Sequence, residues 1–117
     1  MADLKAIELR LSAILDPYRD RLEAATIYNM PVLRRPGARA HDWFAGVQPT
    51  DAAVKFNFLP MHNHPTLLAR VSPALRKRKT GASVFRFTEM DERLFKEVES
   101  LVARAFEAYM APSRTDP

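Results

Sequence analysis

Val54-Lys55-Phe56-Asn57-Phe58 sets three apolar side chains against two polar ones in strict alternation. Successive side chains of an extended chain point to opposite faces, so a period of two reads as a strand with one face in a core. The reading carries this strand from Ala53 to Leu59. Ser83 to Thr88 repeats it, with Phe85 and Phe87 alternating against Val84 and Arg86. If the phenylalanines of both strands point inward, Lys55, Asn57 and Arg86 point the other way. Outward from this pair, His41 to Val47 and Ala25 to Asn29 carry weaker strand chemistry. Pro31, Pro36, Gly37, Gly46, Pro49, Pro60, Pro65, Pro73 and Gly81 cut the intervening chain into short pieces. Strands joined by short turns favour antiparallel pairing.

Both flanks change period. Leu4, Ile7, Leu11, Ile14, Leu15 and Tyr18 recur at helical spacing, with Asp3 placed to cap and Pro17 to end or kink the helix. The far flank is stronger. Leu94, Phe95, Val98, Leu101, Val102, Ala105, Phe106 and Tyr109 form one stripe that opens after Asp91 and stops before Pro112. Between the two strong strands, Ser72-Pro73-Ala74-Leu75 has the form of a capped helical turn, and so has Pro65-Thr66-Leu67-Leu68. The expected fold is α+β: an antiparallel sheet of about four to five strands, with the N-terminal and C-terminal helices packed on one face. Residues 1–111 are read as one domain and 112–117 as a disordered tail.

Composition narrows the chemistry. The chain of 117 residues has no cysteine, which removes disulfides, thiolate metal sites and cysteine nucleophiles together. No apolar run approaches a membrane span, and residues 1–10 lack the apolar block of a signal peptide, so a cytoplasmic protein is expected with no membrane partner. Charge is unevenly placed. Residues 24–88 hold ten basic groups against Asp42 and Asp51, whereas residues 89–117 hold four basic and seven acidic. Any anionic partner is therefore expected at the centre of the chain.

The string Ile27-Tyr28-Asn29-Met30-Pro31, the Phe-rich strand ending at Leu59-Pro60, and Ser72 to Arg78 followed by Gly81 and Val84-Phe85-Arg86-Phe87 resemble the YdhG-like family of uncharacterised bacterial proteins. The helix from Asp91 to Tyr109 fits as well. The resemblance implies an α+β domain grouped loosely with frataxin-like folds. One branch of that family has been proposed to act as an intracellular iron chaperone, so the resemblance also implies iron handling.

The residues themselves suggest three readings. Arg76-Lys77-Arg78-Lys79, with Arg86 and Lys55, forms a basic cluster suited to an anionic small molecule or a nucleic acid, with Trp43 as a stacking platform if it faces outward. His62 and His64, joined by His41 from another strand, could present imidazoles to iron or zinc. An uncovered sheet face could serve a homodimer. Trp43 and Phe44 are neighbours on a strand and are expected on opposite faces, while Tyr28 and Met30 are expected to share one. No Gly-rich phosphate loop, nucleophile elbow, or RNP, KH or helix-turn-helix signature occurs. No catalytic residue is named, and a binding module without a resident cofactor is the leading expectation.

Overall fold

A computed structural model of the chain describes residues 3–39 and 42–110. His41 and the tail at 112–117 lie outside the described residues.

The first helix, α1 (Leu4–Leu15), starts where Asp3 accepts from the Ala6 amide at 3.1 Å. Pro17 does not break the chain direction at once. It converts the last turn into a 3-10 helix, Asp16–Arg21, which tolerates a proline near its start. Strands β1 (Glu23–Ile27) and β2 (Met30–Arg34) follow as a hairpin, then β3 (Ala45–Pro49) and β4 (Val54–Phe58). Two short helices, α2 (Pro60–Asn63) and α3 (Pro73–Arg76), flank a 3-10 turn at Pro65–Arg70. Ser72 caps α3, its hydroxyl accepting from the Leu75 amide. Strands β5 (Lys79–Gly81) and β6 (Val84–Phe87) lead into α4 (Glu92–Met110), where Asp91 accepts from the Leu94 amide at 3.2 Å. No helix among the described residues is long and apolar enough to cross a membrane.

The sheet has six strands in the order β1-β2-β3-β4-β6-β5, every neighbour antiparallel. The expected count of four to five falls short because β2 and β5 are not legible. Pro31 sits inside β2 opposite Thr26. Ile27 and Met30 close a two-residue hairpin, so the next pair makes no ladder bonds and the Pro31 nitrogen faces away from β1. On its other side β2 meets β3 through the single bridge Leu33–Ala45, so the proline interrupts nothing there either. The hairpin turn itself is Tyr28–Asn29, with φ of 51° and 64°, the mirror-image turn that matches strand twist. This corrects the expectation for Tyr28 and Met30: Tyr28 is an exposed turn residue, and only Met30 packs against a core.

One apolar core fills the space between the sheet and both long helices. Phe56, Phe58, Phe85 and Phe87 meet Ile7, Leu11, Ile14 and Leu15 of α1 and the whole stripe of α4, all buried. Phe87 lies edge-on to Phe95 at 5.1 Å, and Phe44 to Phe106 at 5.6 Å. Each such residue contributes ~1.5–3 kcal/mol by leaving water, so the α4 stripe is a principal source of stability. Trp43 and Phe44 do face opposite sides. Phe44 is in the main core, and Trp43 joins Ile27 and Val32 in a small cluster on the face that the helices leave uncovered.

Ties between elements are polar and specific. Arg10 of α1 reaches Glu92 and Glu99 of α4. The Tyr109 hydroxyl donates to the Asp42 carbonyl at 2.8 Å and accepts from the Arg35 amide at 2.9 Å, fastening the loop between β2 and β3 to the end of α4. Arg35 also pairs with Asp42. At Gly46 a Cβ would lie 2.0 Å from the Pro31 carbonyl oxygen, so only glycine lets β2 pass there.

Candidate functional site: a basic row on the uncovered sheet face

Alternation places Lys55, Asn57 and Arg86 on the face away from the helices, because Phe56, Phe58, Phe85 and Phe87 occupy the other. Register then decides which of them meet. Lys55 is directly opposite Arg86 on β6 and opposite Gln48 on β3. A row Arg86–Lys55–Gln48 thus crosses three strands. The Arg86 amide donates to the Arg78 carbonyl at 2.7 Å, which brings Arg78 alongside Arg86 at the end of the row. Beside the row on the same face, Asn57 is almost fully buried and its amide donates to the Gln48 side chain at 3.3 Å, so Gln48 is oriented by its neighbour.

The electrostatics of the row are unbalanced. Among the described residues the ion pairs engage Lys5, Arg10, Arg19, Arg34 and Arg35, and no carboxylate lies within pairing distance of Lys55, Arg78 or Arg86. Like charges directly opposite on a sheet repel, so Lys55 and Arg86 together oppose the pairing of β4 with β6. An anion laid across them removes that repulsion.

Three of the expected site residues are elsewhere. Arg76 is committed to main-chain carbonyls, donating to Val71 through Nε at 3.2 Å and to Leu68 through Nη2, and so closes the 3-10 turn. Lys79 pairs with Phe85 and therefore belongs to the helix-covered side of the sheet edge. Trp43 offers no stacking platform: it is 8% exposed, because an indole beside Ile27 and Val32 is more stable out of water.

His62 lies in α2 and His64 at its C-terminal end, both exposed. Among the described residues no group of three histidine, aspartate, glutamate or cysteine side chains is arranged to hold a metal ion. His41, the third donor expected, lies outside the described residues. Among the described residues, the large apolar side chains left exposed, Leu9, Tyr28 and Met90, lie on separate segments. Scattered single residues of this kind are ordinary on a protein surface.

The groups whose proton affinity shifts are structural and lie off this face. Hydrogen bonding to Glu92, and then Glu99, strengthens the hold of Arg10 on its proton, and Arg10 in turn lowers Glu92. Burial raises the phenols of Tyr18 and Tyr109. A groove along α4 and a cleft between α1 and strands β1–β3 are both lined by other residues than Lys55, Arg78 and Arg86. The chain matches no protein-family model, and no curated protein or solved structure is significantly similar to it.

Proposed function

We propose that this protein is a non-catalytic binding module that holds a nucleic-acid strand by its phosphates across the uncovered sheet face. The observation that carries the reading is the register pair Lys55–Arg86, two cations side by side on that face with no carboxylate in pairing distance among the described residues. An open row of charge suits a chain of phosphates better than a compact anion, which gains most from donors converging in a concavity. With Trp43 buried, no aromatic platform reads bases there, so recognition is through charge and independent of sequence.

Fluorescence anisotropy with a labelled single-stranded oligonucleotide tests this. If Lys55, Arg78 and Arg86 each neutralise one phosphate, log K falls with log salt at a slope of about −2. The double variant Lys55→Gln/Arg86→Gln loses most of the affinity and flattens the slope. No binding at low ionic strength, or binding indifferent to the double variant, overturns the reading.

A further inference from the structure

The groove along α4 is a second basic surface, formed by residues whose stretch of sequence is acidic overall. Arg93, Lys96, Glu97, Ser100 and Arg104 recur at offsets of three, four, seven and eleven, one stripe of the helix beside its buried face. Arg70, at the end of the 3-10 turn, stands across from the stripe, and the groove between them is open to solvent, with a volume of about 640 Å³. That is the size of an ordinary small-molecule site.

Two acids of α4 are drawn away from it. Glu92 and Glu99 turn to Arg10 on α1. Glu97 lines the groove, but one of its oxygens accepts from the Ser72 amide at 3.0 Å and the other from the Ser72 hydroxyl at 2.7 Å. Its charge is thereby engaged, and the segment carrying Arg70 is pinned to α4. Four cations remain against that one occupied carboxylate, and none of the four has an ion-pair partner among the described residues. The Arg104 Nε is shut off from water with no hydrogen-bond partner, an unmet donor on a groove-lining side chain. Arg93 and Arg104 are separated by ~16 Å along the helix, with Lys96 between, so an elongated anion is served better than a single phosphate.

We infer that this groove binds a small molecule carrying two or three phosphate groups, at a site separate from the sheet face. The test is calorimetric titration of the full chain with inorganic tripolyphosphate at low salt. Saturable binding is expected, weakened about tenfold or more by Arg104→Gln and by Arg93→Gln, and unchanged by Lys55→Gln/Arg86→Gln. Arg93 is exposed, so its variant reports on the site even if Arg104→Gln perturbs packing. Absence of saturable binding overturns the inference. So does binding that survives both α4 variants, or that is lost in the sheet-face double variant instead. That last pattern would leave the nucleic-acid reading standing while removing this one.

Discussion

Replacing Tyr109 by phenylalanine removes one oxygen and no apolar volume, yet should cost this protein measurable stability. That hydroxyl holds two main-chain groups of one loop, accepting from the Arg35 amide at 2.9 Å and donating to the Asp42 carbonyl at 2.8 Å. The ring itself stays: it packs 5.2 Å from Phe44, under the Arg35 guanidinium at 4.7 Å, and Tyr109→Phe keeps both contacts. Each hydrogen bond contributes ~1 kcal/mol net, and a half-buried partner left unmet adds to that, giving about 2–3 kcal/mol. Unfolding entropy near 2.1 cal/mol/K per residue makes each kcal/mol worth ~4 °C for a chain of this length, so the melting temperature should fall by roughly 8–12 °C. Scanning calorimetry reads this directly, with Tyr18→Phe as control because the Tyr18 hydroxyl has no hydrogen-bond partner among the described residues.

The same variant changes the alkaline limb. Burial raises the Tyr109 phenol above its ordinary value near 10. The unfolded chain then ionises first, so this contribution is complete below about pH 10 and is lost as pH climbs from there through the folded value. Tyr109→Phe should flatten that fall, leaving the part due to Tyr18, whose phenol is also raised by burial. A loss under ~0.5 kcal/mol, or an equal loss in Tyr18→Phe, would refute the account of the loop as tied down by this one oxygen.

Lys55→Glu places a carboxylate directly opposite Arg86, so equilibrium denaturation should show a gain of ~0.2–1 kcal/mol while oligonucleotide binding disappears; a destabilised variant would contradict the reading of Lys55 and Arg86 as a repulsive pair. Gly46→Ala puts a methyl group 2.0 Å from the Pro31 carbonyl oxygen, which backbone cannot yield cheaply, so circular dichroism should show a cost above ~3 kcal/mol or no cooperative fold, and a variant within 1 kcal/mol of the parent would remove the close approach of β2.

Alternation and periodicity were enough to place α1, α4, β4 and β6, because each shows its burial pattern within its own residues. Caps were legible for the same reason: Asp3, Ser72 and Asp91 each bond a backbone amide three residues on. β2 and β5 were not. Pro31 reads as a break until the hairpin shows that its nitrogen faces no partner, and β5 is three residues long with an irregular register. The basic cluster was legible as composition but not as a site. Four consecutive residues, Arg76 to Lys79, look equivalent in the sequence, yet Arg76 closes a turn, Lys79 goes to the covered side, and Arg78 is seated beside Arg86. The α4 groove was hidden by summation: Arg93, Lys96 and Arg104 lie in a stretch whose net charge is negative, and only a helical offset separates them from Glu92 and Glu99.

The sequence by itself determined α1, α4, β4 and β6, the faces that each must bury, and the excess of positive charge at the centre. These are local consequences of side-chain period and composition. Which cations stand together, and which carboxylates neutralise others, was decided only in the tertiary structure. Register and helix packing set those distances between residues far apart in the chain, and electrostatic interaction depends on distance in space, not on separation in sequence.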